Sequence, residues 1–136
     1  MPSSLNLEKV LWFEEGQGIR TSGRIPLEAE FFKDHFPDFP VLPGVLALGL
    51  LKKTAERYFQ EAGYNPSDFR LRLERVEQAR FSQYLKPGDR WESHLKILSH
   101  DQNHFEWDAQ LVHEGKRTAA AKIVTQMIKV SARAGV

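Results

Sequence analysis

The segment from Gly44 to about Ala62 constrains the fold more than any other part of the chain. Its hydrophobic spacing predicts a helix that begins after Pro43 and ends at Gly63, because proline suits a helix start and glycine a helix stop. The first two turns are apolar on nearly every side, whereas the second half has a polar side. The apolar residues are Val45, Leu46, Leu48, Leu50 and Leu51, and the polar ones are Lys52, Lys53, Glu56, Arg57 and Gln60. A short helix that is apolar all round at one end must be enclosed by other elements.

Alternating patterns on both sides of this helix predict the strands that enclose it. Two short strands flank a turn at Gly16–Gly18. After the helix, FRLRLERVEQARF and KPGDRWESHLKIL alternate apolar with polar residues, and HFEWDAQLVHEGKRTAAAKIVTQMIKV predicts two long strands around an HEGK hairpin turn. We therefore predict an α+β fold, with a single curved antiparallel sheet wrapped around one central helix. Exposed sheet edges of such a fold are often satisfied by a second copy of the chain.

Length and composition narrow the class of protein. The 136 residues fit a single domain, 1–136, with a loose tail from about residue 131. The net charge of +1 gives no basic excess that would indicate nucleic acid as a partner. Cysteine is absent, which excludes disulfides and thiolate metal sites and fits a reducing, cytoplasmic compartment. Glu8 and Lys9 come too early for a signal peptide, and no apolar run approaches the length of a membrane span. We expect no metal and no other cofactor.

Four of the five histidines lie in ordinary surroundings. His100 and His104 are four residues apart with Asp101 between them, but no third metal ligand follows at a recognisable spacing. We interpret this stretch, SHDQNH, as a polar loop between two strands. His94 falls on the polar side of its strand, and His113 falls in the predicted hairpin turn, where we expect it to be solvated.

His35 lies in an unusual stretch, DHFPDFPVLPGVLALG, residues 34–49. Prolines spaced three apart stiffen this segment, which leads directly into the predicted helix. The first amides of that helix, near Gly44 and Val45, have no intrahelical acceptor and can polarise a carbonyl or hold an anion. Histidine, whose ordinary pKa is about 6.5, suits a general base. A base and a polarised carbonyl suffice to remove a proton α to that carbonyl. The alternative is a rigid connector with a hydrogen-bonded histidine.

The stretch FFKDHFPDFPVLPGVL closely resembles the motif of the 3-hydroxyacyl-(acyl carrier protein) dehydratases of fatty-acid synthesis. ARFSQYLKPGDRWESHLKI is similar to the later strand pair of that family, including its Pro-Gly-Asp turn, and EWDAQLVHEGKRTAAAKI is similar to its closing hairpin. The resemblance covers roughly residues 8–125. It implies the hotdog fold, in which an antiparallel sheet wraps a long helix, and a dimer with two active sites at the subunit interface.

The resemblance also implies a chemical role for two residues. His35 would take the α-proton of a 3-hydroxyacyl thioester, and the backbone amide of Gly44 would bind the thioester carbonyl. The product would be a trans-2-enoyl thioester, carried on acyl carrier protein or on coenzyme A. The residues that would bind the substrate are Phe36, Pro43, Val45, Gly49, Phe81 and Tyr84.

The chain departs from the family pattern at Gly49, at Tyr84 and at Asp34, where the family often has glycine. The family has a helix carboxylate five residues after its Pro-Gly pair, whereas this chain has Gly49 there. The nearest helix carboxylate, Glu56, lies about 10 Å further along at 1.5 Å per residue. Tyr84 stands where the family usually has proline, and is either a tunnel-wall phenol able to donate a proton or a packed core tyrosine. Asp34 and Asp38 are further candidates for the missing acid.

Three functions are compatible with this pattern. Retention of His35 and Gly44 favours a hydro-lyase, because losing a positioned acid costs about 10²–10⁴ in rate and leaves a slow enzyme. Glycine at position 49 favours a non-catalytic protein that binds acyl thioesters or acyl carriers, or an inactive subunit paired with an active homologue. A hotdog thioesterase is the third candidate, although no nucleophile or water-activating carboxylate stands at the helix. We expect a homodimer or a larger homo-oligomer.

Overall fold

The computed structural model describes residues 5–27, Leu42 and 44–130. Within these residues the chain forms one α-helix and six strands, joined in a single antiparallel sheet with the strand order β1-β2-β4-β5-β6-β3. The elements are β1 (Lys9–Glu14), β2 (Gly18–Arg24), α1 (Gly44–Glu61), β3 (Phe69–Phe81), β4 (Arg90–Asp101), β5 (His104–His113) and β6 (Lys116–Lys129). The predicted α+β architecture is confirmed.

Helix α1 ends at a glycine cap, as its sequence predicts. The amide of Gly63 donates to the carbonyl of Gln60 over 3.0 Å, and the amide of Tyr64 donates to the carbonyl of Phe59 over 2.9 Å. This pair of bonds requires a residue with positive φ after the helix, and Gly63 has φ of +105°. The rings of Phe59 and Tyr64 also meet, with centroids 5.9 Å apart, so the cap closes one end of the core.

The core lies between α1 and one face of the sheet. Trp107 of β5 is fully buried, and its ring contacts Tyr58 and Phe59 of α1 at centroid distances of 5.2 and 6.2 Å. Its indole nitrogen donates to Thr125 Oγ1 over 3.0 Å, so no unpaired donor is buried there. The buried residues of α1 are Ala47, Leu50, Leu51, Thr54, Ala55, Tyr58 and Phe59.

A buried pair of hydroxyl groups fixes how α1 lies on β2. Thr54 Oγ1 donates to the carbonyl of Leu50 over 3.0 Å, and it also lies 3.0 Å from Thr21 Oγ1. Because the Thr54 proton is directed at Leu50, Thr21 is the donor between the two threonines. Both side chains are fully buried, so a shift of the helix would leave a hydroxyl unpaired.

The prediction that SHDQNH is a polar loop is wrong. Strand β4 continues to Asp101 and β5 begins at His104, which leaves a two-residue turn of Gln102 and Asn103. Gln102 adopts φ of +54°, and this left-handed conformation allows the two strands to connect so tightly. His100 lies on its strand and stacks on the ring of Phe105 with centroids 4.9 Å apart.

The prediction that His113 is solvated is also wrong. His113 is the last residue of β5, and the turn that follows consists of Glu114 and Gly115, with φ of +51° and +76°. Positive φ at both residues is the signature of a type I′ hairpin turn. The His113 side chain is only 19% exposed, and its Nδ1 lies 2.6 Å from the carbonyl oxygen of Arg90. The ring is therefore held against the start of β4.

Candidate active site at the start of helix α1

Gly44 is the first residue of α1, and its amide therefore has no acceptor within the helix. The ring of Phe81, the last residue of β3, lies directly beside it. A Cβ atom added to Gly44 would lie 3.3 Å from Phe81 Cζ, a closer contact than most side chains make. Glycine therefore lets the aromatic ring approach the helix start while the amide remains free of a side chain.

Tyr84 extends this aromatic cluster toward solvent. Its ring stacks nearly parallel to that of Phe81, with centroids 6.4 Å apart and an interplanar angle of 8°. Because Tyr84 is 53% exposed, its interpretation as a packed core tyrosine is wrong. The segment after β3 runs along the surface and carries the ring there. Its role as a proton-donating phenol stays a prediction.

The start of α1 is only partly enclosed by its own chain. Val45 is 73% exposed and Leu48 is half-buried, whereas Ala47 and Leu50 are buried. Within residues 5–27, 42 and 44–130, the other elements therefore enclose this apolar end on one side only. The helix buries the side that faces the sheet and leaves apolar surface on the other side.

A backbone hydrogen bond fixes the chain just before the helix. The amide of Leu42, two residues before Gly44, donates to the carbonyl of Leu85 over 2.6 Å. Both leucine side chains are buried, at 1% and 3% exposure. The helix start is thus tied to the segment that links β3 and β4. Neither leucine was among the predicted site residues, since an apolar residue carries no sequence signal for a backbone bond to a distant segment.

The Pro-Gly-Asp turn, residues 87–89, lies in the same segment between β3 and β4 and is held by backbone hydrogen bonds. Asp89 donates its amide to the carbonyl of Lys86 over 3.0 Å around Pro87 and Gly88, and Gly88 has φ of +86°. Proline followed by glycine with positive φ is the pattern of a type II turn. The amides of Gly88 and Ile25 each bond across the turn over 2.8 Å, the latter to the carbonyl of Asp89. The turn therefore joins the end of β2 to the start of β4.

The structure brings three predicted site residues, Gly44, Phe81 and Tyr84, into one cluster, with Val45 next to it in sequence. Gly49 lies further along α1 and is partly exposed. The remaining predicted residues lie outside the described part of the chain: His35, Phe36, Pro43, Asp34 and Asp38.

Glu56 is the helix carboxylate nearest to Gly49. Burial raises the pKa of its carboxyl group, and the positive charges of Lys52 and Lys53 oppose this rise. A raised pKa suits a general acid, but the position does not. Glu56 is twelve residues from Gly44, about 18 Å along the helix axis. It therefore does not serve the helix start of its own chain.

No set of three His, Asp or Glu side chains converges as metal ligands within residues 5–27, 42 and 44–130. His94 and His104 each lie beside one carboxylate instead. His94 Nε2 lies 2.8 Å from Glu92 Oε1, and His104 Nε2 lies 3.4 Å from Glu74 Oε2. No helix in the described ranges is long and apolar enough to span a membrane.

A family model described as ApeI dehydratase matches residues 12–122 of this chain. The chain belongs to the ApeI-like dehydratase family. Among its relatives, the 3-hydroxyacyl-(acyl-carrier-protein) dehydratase FabZ of Dechloromonas aromatica is 30% identical over 122 residues, which cover 88% of this chain and 85% of that protein. The FabZ of Janthinobacterium sp. is 30% identical over 125 residues, with coverage of 90% and 80%. Membership of this family confirms the prediction of a dehydratase-like hydro-lyase.

Solved structures support the fold of this ApeI-like chain. The dehydratase heterocomplex ApeI:P from Xenorhabdus doucetiae matches with a TM-score of 0.75 at 13% identity, over 90% of this chain and 82% of that one. A thioesterase of Lactococcus lactis, yhdA, described as putative, matches with a TM-score of 0.68 at 16% identity, over 93% and 95%. Such identities show the fold alone, and they confirm the predicted hotdog architecture.

Proposed function

We propose that this chain dehydrates 3-hydroxyacyl thioesters to trans-2-enoyl thioesters, in the cytoplasm and as a homodimer. The observation that carries the proposal is the start of α1, where Gly44 has no side chain beside its amide and the ring of Phe81 lies next to this glycine. That amide and the positive end of the helix dipole would hold and polarise the thioester carbonyl. Polarisation makes the proton on the α-carbon easier to remove.

In this proposal His35 takes that α-proton. The electron pair of the broken C–H bond forms the double bond between the α- and β-carbons, and the C–O bond at the β-carbon breaks. The hydroxyl group leaves as water once it acquires a proton. His35 in its protonated form can supply this proton, and Asp34, Asp38 and Tyr84 are the other candidates. The HFP…PGV motif of the sequence supports the role of His35, because it joins this histidine to the helix start.

The proposed carrier is acyl carrier protein, which the names of the FabZ relatives contain, and coenzyme A is the alternative. A second copy of the chain is proposed because the described elements leave apolar surface exposed at the start of α1. Val45 is 73% exposed there, next to the amide that would bind the substrate. A partner that packs on this surface would also exclude water from the reaction, and low polarity strengthens the polarising interactions.

A non-catalytic acyl-thioester binder, or an inactive subunit of a mixed assembly, is the second candidate. Gly49 favours it, because α1 offers no carboxylate at the position where the related dehydratases carry one. A thioesterase is a third candidate. Thioesterases share the fold of this chain, but their likeness at identities of 11–16% carries no information about the reaction.

Product analysis by mass spectrometry separates the three candidates. The pure protein is incubated with a 3-hydroxyacyl thioester on coenzyme A and, separately, on acyl carrier protein. Loss of one water with the thioester intact supports the dehydratase, and free acid with free thiol supports the thioesterase. Unchanged substrate together with a raised melting temperature supports the binder, because a ligand stabilises the state that it binds.

A further inference from the structure

A β-bulge interrupts the pairing of β3 with β6. Glu77 lies opposite Lys122 and Arg80 lies opposite Ala120, so three steps along β3 match two along β6. The extra residue is accommodated by Gln78, which adopts φ of +55°. Positive φ is uncommon for residues other than glycine, and bulges often re-aim side chains beside functional sites.

A second bulge lies on the other side of Ala120, where β6 pairs with β5. Leu111 is opposite Ala119 and Val112 is opposite Arg117, so Thr118 is the additional residue. Thr118 is held by a bond from its Oγ1 to the carbonyl of Leu111 over 3.2 Å. This bulge breaks the alternation of β6 and places Arg117 on the same side of the sheet as Ala120.

Between the two bulges lies a groove of about 410 Å³, on the face of the sheet opposite α1. Asp108 marks this face, because it lines the groove while its neighbours Trp107 and Ala109 are buried against the helix. The short side chain of Ala120 leaves the floor open. The polar residues around that floor are Gln78, Arg80, Ser82, Asp108, Arg117 and Lys122, so three cations face one lining carboxylate.

Two of the three cations in the groove have no carboxylate partner among the residues that the structure describes. Lys122 Nζ is engaged, at 3.0 Å from Glu106 Oε2 and 3.8 Å from Glu77 Oε1. Arg80 and Arg117 have no carboxylate within 4 Å in the described part of the chain. Two unpaired guanidinium groups present planar sets of donors that match the oxygens of a phosphate group.

The groove adjoins the candidate active site across the end of β3. Successive residues of a strand point to opposite faces, so Phe81 reaches Gly44 on the helix side while Arg80 lines the groove. Ser82, immediately after Phe81, also lines the groove. A ligand that bends around this strand end would therefore join the two sites.

We propose that the groove binds the phosphate of a 4′-phosphopantetheine arm, which coenzyme A and acyl carrier protein share. The proposal rests on the proposed function for the identity of the ligand. Arg80 and Arg117 bind the phosphate. The flexible arm then passes around the end of β3, so that its thioester reaches the amide of Gly44.

Calorimetric titration with coenzyme A, and with pantetheine as a probe that lacks phosphate, tests this directly. The groove variant carries Arg80→Gln and Arg117→Gln. The control variant carries Arg70→Gln and Arg72→Gln, which remove the same charge from exposed positions of β3 outside the groove. We expect the groove variant to bind coenzyme A about tenfold or more weakly, as the loss of charge-assisted bonds requires, while the control binds as the native protein does. Equal binding by the groove variant, or equal binding of the two probes by the native protein, would overturn the proposal.

Kinetics then separate this proposal from the proposed function. With a coenzyme A thioester, the groove variant should show a raised KM and an unchanged kcat, whereas a pantetheine thioester should be turned over equally by both proteins. If the groove variant turns over the coenzyme A thioester with native KM and kcat, the groove does not bind the phosphate and the proposed function still holds. If coenzyme A binding depends on the two arginines but no turnover is found, the groove proposal holds and the proposed function fails. Because coenzyme A and acyl carrier protein share the arm, we expect the groove variant to show a raised KM with both substrates. A raised KM with coenzyme A substrates alone would assign the contact to the nucleotide phosphates of coenzyme A and would overturn the assignment to the arm.

Discussion

Gly44 at the first position of α1 and Phe81 at the last position of β3 are in contact, with 3.3 Å between the place of a Gly44 Cβ and the Phe81 ring. The last residue of β3 thus packs against the first residue of α1. The contact joins the amide that would polarise a carbonyl to the strand end that carries Arg80 and Ser82 on its opposite face. A change at either residue should therefore affect the geometry of the reaction more than the stability of the fold.

Gly44→Ala tests this contact. The new methyl group would press on the Phe81 ring, and either the ring or the helix start must move by a few tenths of an ångström. We expect kcat/KM for a 3-hydroxyacyl thioester to fall about ten- to a hundredfold, since small displacements of positioned groups carry costs of that order. Phe81→Leu in the Gly44→Ala background should restore part of the loss. Full activity of Gly44→Ala alone would show that the space above the amide is not used.

Gly49→Glu places a carboxylate at the helix position where the resemblance to the dehydratase family implies one. If the acid is the only missing group, turnover should rise on the order of 10²-fold, because a positioned acid is worth about that much. Gln60→Glu is the matched control, since it adds the same group to α1 near its other end and should leave the rate unchanged. No gain from Gly49→Glu in an active enzyme would mean that another residue already supplies the proton.

Helix α1 and strand β3 were predictable almost to the residue, whereas the tight turn between β4 and β5 and the groove were not. Alternation marks FRLRLERVEQARF as a strand, but it does not show that the extra residue near Gln78 bends the strand. The bulge at Thr118 could not be predicted either. A bulge is recognised in a sequence where it interrupts the alternation of polar and apolar residues, and TAAA contains no such alternation. Tyr84 was misjudged for another reason. Its exposure depends on the path of the segment after β3, and a local pattern does not encode that path.

Tyr84→Phe asks whether the phenol donates a proton. The hydroxyl group stands on a ring that is 53% exposed, where water can replace it, so we expect turnover to stay within about twofold of the native rate. Tyr84→Ala should cost more, because it uncovers the Phe81 ring. Tyr64→Phe at the helix cap serves as the control for a phenol remote from the site. A loss of about 10² in rate for Tyr84→Phe would make Tyr84 the missing acid.

Glu106 gives the fold a predictable response to pH. The hydrogen bond from Lys122, joined by that from Ser99, lowers the pKa of its carboxyl group. A lowered pKa in the folded state adds stability above the unfolded pKa of about 4.3, and this stability is lost as pH falls through the folded value. Glu106→Gln should therefore melt below the native protein at pH 7, and the gap in Tm should shrink as pH is lowered through about 4. Glu114→Gln is the control, because this side chain is 83% exposed and its replacement should leave Tm unchanged. A difference in Tm between the native protein and Glu106→Gln that grows as the pH is lowered would contradict this account.

The formation of enoyl thioester by the native protein and by His35→Ala tests the central claim most directly. Both proteins are given the same 3-hydroxyacyl thioester, and the rise in Tm with a non-reactive acyl thioester is measured in parallel to show that both still bind. The account predicts enoyl thioester from the native protein, none from His35→Ala, and similar shifts in Tm for the two. Dehydration by His35→Ala at the native rate would contradict it.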